Sequence, residues 1–192
     1  MPEQQDRHFN SRMMLFPLRK YASRVQYDFI RNYVKPGMAV LDLGSGPGFF
    51  TIMLAENVGR DGMVYAVDGD ENAAYRLKER TRSTGLENIK IYASSAASIP
   101  FIKNESIDIL FSNGLLCCML DHKGAVNEMI RVMNNVSRGF ISVTKALRGD
   151  GLGVSKMEWK KIMESFRIVR NGSTIMMDWA VVEKAGVMTD EL

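Results

Sequence analysis

Two rhythms of apolar and polar positions run along this chain. Between residues 15 and 34 the apolar side chains Tyr21, Val25, Phe29, Ile30 and Tyr33 recur at roughly helical spacing, and Pro36-Gly37 then stops the run. From residue 38 onward short apolar runs alternate with amphipathic stretches. Ala39–Leu43, Met63–Val67, Ile89–Ala93, Ile107–Ser112 and Phe140–Thr144 read as strands, and Phe49–Asn57, Glu71–Ser83 and Gly124–Met133 read as the helices among them. That alternation predicts parallel strands joined by helical crossovers, an α/β class. After Gly149-Asp150-Gly151 a helical stretch, Ser155–Ser165, leads into two strand-like runs, Arg167–Arg170 and Ile175–Glu183. Asn171-Gly172 lies between those runs, and this dipeptide favours a tight antiparallel turn. The expected architecture is a doubly wound, seven-stranded sheet, mainly parallel, with an antiparallel C-terminal hairpin. No repeat or low-complexity linker marks a second domain; residues 1–37 read as a helical segment preceding a domain over 38–192, a possible lid.

Composition changes this picture little. With 192 residues, 46% hydrophobic and 24% charged, the chain is ordinary for a globular protein. At that length about 70% of the unfolded surface can be buried without disulfides or structural metals. No apolar run approaches the roughly 20 residues that cross a bilayer. The start, Met1-Pro2-Glu3-Gln4-Gln5-Asp6, is polar with no apolar stretch before Met13, so the expectation is a soluble, cytoplasmic protein without a secretory signal. Cys117 and Cys118 are adjacent, which suits a reducing compartment, and they read as small buried hydrophobes. The net charge of +3 is mild, and only Arg19, Lys20 and Arg24 cluster, a weak pointer to a nucleic-acid partner. Fourteen methionines read as adaptable core filling.

The segment Val40-Leu41-Asp42-Leu43-Gly44-Ser45-Gly46-Pro47-Gly48-Phe49-Phe50-Thr51 carries the chemistry. In open α/β sheets the ligand sits beyond the carboxyl ends of the strands, where the first strand–helix turn offers backbone N–H groups and a helix start. Gly44, Gly46 and Gly48 occupy that turn. A dinucleotide fingerprint requires a small residue three positions after its second glycine, and Phe49 stands there, so that fingerprint fails. What the segment resembles is motif I of the class I S-adenosylmethionine-dependent methyltransferases, with an acidic residue two positions before Gly-x-Gly-x-Gly.

The resemblance extends over roughly residues 38–145 and implies a Rossmann-like fold that binds S-adenosylmethionine. It implies that Asp42 holds the methionine end of the cofactor while Gly44, Ser45, Gly46, Pro47 and Gly48 wrap the sulfonium and ribose. Read alone, Asp42 is a charge in a buried strand, costly unless partnered. Val64-Tyr65-Ala66-Val67-Asp68 ends in a carboxylate about 20 residues past the glycine turn, placed to accept from ribose hydroxyls, with Gly69 beside it. Asp70 reads instead as the cap of the helix that follows. Tyr92–Phe101 is similar to the family's stretch after strand three, where an Asp commonly receives the adenine amino group. Here that position is Ser95, followed by Ala96, and a hydroxyl is the weaker acceptor. Asn113 and Leu115, after Ile107–Ser112, are expected to line the pocket, whereas Asp108 orients a neighbouring loop.

Methyl transfer from a sulfonium is an in-line displacement that proceeds largely by alignment, so a dedicated base is optional. His122 is the best-placed titratable group for one, against a plainer reading as a surface histidine beside Asp121. His8, Arg12 and Tyr21 fall in the N-terminal segment, which in this family often closes over the cofactor. Ser112-Asn113-Gly114-Leu115 lacks the paired prolines of amino-directed methylation. Ser112, Lys145 and Ala146 offer no carboxylate set for Mg²⁺, so no metal is expected. Arsenite methylation resembles this chain around motif I but relies on separated cysteines. The quinone-biosynthesis type, with a small-molecule acceptor, is the sub-class it most resembles. An RNA or protein substrate, or a non-catalytic cofactor-binding module, are the alternatives, and a homodimer is compatible with the sequence.

Overall fold

A computed structural model describes residues 24–145 and 153–185. Its first helix, α1 (Arg24–Tyr33), buries Gln26, Phe29 and Ile30 on one face, which is the inward stripe of the expected N-terminal helix. His8, Arg12, Tyr21, Arg19 and Lys20 lie outside the described residues. There follow β1 (Ala39–Leu43), α2 (Phe49–Val58), β2 (Met63–Asp68), α3 (Glu71–Arg82), β3 (Ile89–Ala93), β4 (Ile107–Asn113), α4 (His122–Val132), β5 (Met133–Thr144), α5 (Lys156–Met163), β6 (Phe166–Ser173) and β7 (Met177–Lys184).

The seven strands are ordered β3-β2-β1-β4-β5-β7-β6, parallel as far as β5 and antiparallel at the β5–β7 and β7–β6 pairings. Strand residues alternate between the two faces, and both faces are covered, so the central strands are apolar almost throughout. Leu41, Leu43, Leu110 and Ile141 pack with Met129 of α4 and Ile162 of α5, while Val40, Phe111 and Phe140 pack with Phe29 of α1 and Phe50 and Leu54 of α2. The chain winds outward from β1 through β2 to β3, then returns to lay β4 on β1's other side. That reversal opens a crevice between the carboxyl ends of β1 and β4.

At the opposite end of the sheet Asp108 accepts from the Ala39 N–H at 2.8 Å and from Asn134 Nδ2 at 2.8 Å, tying the starts of β1, β4 and β5. It is thus far from the crevice, as expected. Asp70 caps α3 by accepting from the Asn72 N–H at 2.9 Å, also as expected.

Three features differ from the sequence reading. Strand β5 begins at Met133, straight out of α4, not at Phe140; the pairing jumps from Ile107–Met133 to Ile109–Arg138, so polar residues are accommodated in an irregularity within the strand. Helix α4 starts at His122, capped by Asp121 accepting from the Gly124 N–H at 2.8 Å. Asn171-Gly172 is not the hairpin turn: both residues pair within β6, opposite Ala180 and Trp179, and the chain reverses at 174–176. Gly172 serves packing instead. A Cβ there would stand 2.4 Å from Trp179 Cζ2, so only glycine lets the indole lie across the strand.

Candidate functional site

The glycine turn leaves β1 with φ of 84° at Gly44 and 84° at Gly48, a left-handed conformation that favours glycine. A side chain is excluded on steric grounds as well. A Cβ on Gly44 would lie 2.8 Å from Leu115 Cβ, and one on Gly48 would lie 2.1 Å from Leu77 Cδ1. The turn is tethered on all sides. The Gly44 and Ser45 N–H groups donate to Val67 O at 2.8 and 3.0 Å, the Gly48 N–H donates to Ser45 O at 3.1 Å, and Arg80 Nη1 donates to Pro47 O at 2.6 Å. Ser45 is buried, and its hydroxyl has no hydrogen-bond partner among the described residues. No side chain caps α2 beyond it.

At the root of the turn Asp42 is 2% exposed, and Thr51 Oγ1 on α2 donates to its Oδ2 at 2.6 Å. A buried carboxylate therefore has a hydroxyl partner, which answers the cost raised by its place in a buried strand. Asp68, at the end of β2, accepts from the Gly46 N–H at 2.7 Å and from the Asp70 N–H at 2.9 Å. One carboxylate thus links the second glycine of the turn to the start of the next crossover, with Gly69 between Asp68 and Asp70. The end of β3 joins the same corner, since the Ser94 N–H donates to Asp68 O at 2.9 Å. Ser95 is exposed, and its hydroxyl accepts from the Ala97 N–H at 3.3 Å; Ala96 is buried against the α4 side of the core.

On the other side of the crevice Leu115 reaches over Gly44, and Asn113 ends β4. Asn113 Oδ1 accepts from Gln26 Nε2 at 2.7 Å and from Ser142 Oγ at 2.9 Å. The structure thus brings Asp42, the glycine turn, Asp68, Asn113 and Leu115 to one end of the sheet. Thr51, Arg80 and Gln26, which sequence reasoning missed, hold three of these features in place.

His122 starts α4, beside the segment that follows β4. Its Nδ1 lies 2.7 Å from Glu158 Oε1 and its Nε2 lies 2.5 Å from Leu116 O. Both nitrogens are occupied, so the ring pins α5 to the segment after β4 and presents no open nitrogen to the crevice. Cys117 and Cys118 are half-buried rather than core residues, their sulfurs 3.6 Å apart, with Cys117 Sγ 3.0 Å from Gly114 O. The neighbouring Cys118 thiol, with smaller help from Thr144, outweighs burial and lowers the Cys117 pKa to about 6. Cys118 is driven upward by that same hydrogen bond, by burial and by the charges of Cys117 and Asp68. Among the described residues no group of three metal-ligating side chains comes together, and no helix is long and apolar enough to cross a membrane.

Residues 34–181 match the model of a family described as a methyltransferase domain. A demethylmenaquinone methyltransferase from Geobacillus stearothermophilus is 34% identical over 102 residues, which is 53% of this chain and 43% of that protein. An arsenite methyltransferase from Halobacterium salinarum is 30% identical over 107 residues, 56% of this chain and 27% of that protein. The chain therefore spans less than half the length of either curated relative. Among solved structures, a SAM dependent methyltransferase from Aquifex aeolicus superposes with a TM-score of 0.77 at 23% identity, covering 93% of this chain and 100% of that one. The family match spans most of the chain, and this chain belongs to the methyltransferase domain family.

Proposed function

We propose that this chain transfers the methyl group of S-adenosylmethionine to a small-molecule acceptor by in-line displacement. The observation that carries the reading is the convergence of a tethered glycine turn and two carboxylates, Asp42 and Asp68, on the switch point between β1 and β4. The residues present suit the donor. A sulfonium with an amino group and a ribose diol calls for hydrogen-bond acceptors and close backbone approach, and the site offers two carboxylates, a turn with glycine at 44, 46 and 48, and the Ser45 hydroxyl, which has no partner among the described residues.

In this reading Asp42 takes the methionine amino end, and Gly44, Ser45, Gly46, Pro47 and Gly48 wrap the middle of the molecule. Asp68, flanked by Gly69, accepts from the ribose hydroxyls; Ser95 and Ala96 border the adenine; Asn113 and Leu115 face the methyl-transfer side. When bound, S-adenosylmethionine supplies an electrophilic methyl group on sulfur. The protein's own contribution is alignment: Thr51 fixes Asp42, Arg80 and Asp68 fix the turn, and Leu115 closes the crevice over Gly44. No proton acceptor is required of His122. A cytoplasmic setting belongs to the same proposal, because two adjacent, partly accessible free thiols suit a reducing compartment.

Isothermal titration with S-adenosylmethionine, then a radiolabelled-methyl screen over quinones, phenols, amines, thiols and tRNA, tests this. Binding and transfer to a small molecule is the expected result. Failure to bind either S-adenosylmethionine or S-adenosylhomocysteine refutes it, and transfer to tRNA alone, collapsing with added salt, reassigns the acceptor.

A further inference from the structure

Gln26 is 4% exposed on α1, yet only half of its amide is satisfied. Its Nε2 donates to Asn113 Oδ1 at 2.7 Å and lies 3.6 Å from Met177 Sδ. A thioether sulfur can accept but never donate, so Met177 decides which end of the Gln26 amide faces β4: the nitrogen. Asn113 Oδ1 receives a second hydrogen bond, from Ser142 Oγ at 2.9 Å. Two donors on that oxygen orient the Asn113 amide in turn.

Two polar groups are left over by this chain of contacts. Gln26 Oε1 is buried without a hydrogen-bond partner, and Asn113 Nδ2 donates to nothing among the described residues. Two primary amides can close a reciprocal pair, but here only the bond from Gln26 Nε2 to Asn113 Oδ1 is made. The place matters. Asp42 pairs with Phe111 in the β1–β4 register, and carrying that register two residues further sets Asn113 level with Gly44, on the crevice itself.

We propose that Gln26 and Asn113 form a split amide pair that recognises a hydroxyl group on the methyl acceptor, which rests on the methyl-transfer reading above. A hydroxyl inserted in the open arm donates to Gln26 Oε1 and accepts from Asn113 Nδ2, completing both. An ether or carbonyl can only accept, an ammonium can only donate, and a thiol does either weakly. The acceptor class is therefore a hydroxyl-bearing small molecule, and Gln26 and Asn113 set specificity, with Met177 and Ser142 as positioning residues.

The probes are 1-naphthol, 1-methoxynaphthalene and 1-naphthylamine, titrated calorimetrically into the full chain saturated with S-adenosylhomocysteine. The expected result is naphthol binding about tenfold tighter than its methyl ether, the worth of one satisfied hydrogen bond. Gln26→Met should abolish that margin while the chain keeps the parent's circular dichroism. Equal affinity for naphthol and its ether in the unaltered chain, or an unchanged margin in Gln26→Met, overturns the proposal. Should Gln26→Met lose its fold by circular dichroism, Asn113→Asp, which turns the open donor into a second acceptor, must widen the margin, because naphthol still donates while its ether finds no donor; an unchanged or smaller margin there overturns the proposal. Failure of S-adenosylhomocysteine to bind overturns the methyl-transfer reading instead, and the same titration on the unloaded chain then decides the amide pair on its own.

Discussion

Replacing Thr51 with valine removes one hydroxyl and keeps the shape and β-branching of the side chain. Thr51 is fully buried on α2, and its hydroxyl donates to Asp42 Oδ2 at 2.6 Å, itself on a residue 2% exposed. No cavity opens, so the loss is that of a hydrogen bond to a charged acceptor, about 1.5–3 kcal/mol. With a urea dependence of about 2 kcal/mol per molar for a domain of this size, the unfolding midpoint should fall by about 1 M at unchanged slope. Equilibrium urea unfolding followed by circular dichroism measures it. A midpoint within about 0.3 M of the parent refutes the idea that the Thr51 hydroxyl stabilises the buried carboxylate of β1. The same variant, folded, should bind S-adenosylmethionine more weakly, because the Thr51 hydroxyl no longer helps hold the Asp42 carboxylate under the turn.

Asp68→Ala should weaken S-adenosylmethionine binding by about 1–3 kcal/mol, read by titration calorimetry, since it removes both an acceptor and the tether of the Gly46 N–H; unchanged affinity would show the carboxylate serves the turn alone. Alkylation of Cys117 by iodoacetamide should rise through a midpoint near pH 6 and level off above it, because only the thiolate reacts and the lowered pKa makes it available early; Cys118→Ala should move the midpoint up toward that of an ordinary thiol. Gly172→Ala should destabilise the fold by about 1–3 kcal/mol through the clash with Trp179, seen as a lower thermal midpoint, whereas a turn glycine at that position would predict a change confined to backbone strain.

Much of the fold was legible because the signals are local. Strands β1 and β3 fall where their apolar runs place them, and Asp70 caps where a capping residue belongs. The start of β5 was hidden because Asn134, Ser137 and Arg138 break the apolar pattern; Ser137 Oγ and Asn134 bond inward to β4, which a one-dimensional pattern does not reveal. Asn171-Gly172 misled because a glycine required for an approaching indole looks the same as one required for a turn. At the site, the glycine turn and the carboxylates carry spaced motifs, but Gln26 meets Asn113 across 87 positions and Arg80 meets Pro47 across 33. Such partners have no spacing to recognise. His122 is a candidate base by residue type, and its contacts to Glu158 and Leu116 O lie across 36 and 6 positions, which no motif spacing shows.

The placement of β7 between β5 and β6 bears on how the chain is made. The strand synthesised last fills an interior slot, so during translation β5 waits with an open edge and β6 has no neighbour until residues through Lys184 have left the ribosome. Until then Phe140 and Ile141, central to the finished core, lie on a strand paired on one side only. A sheet built only as far as β5 would therefore end in an open, apolar edge, and Met177–Lys184 is the segment whose antiparallel pairing covers it and joins β6 to the sheet.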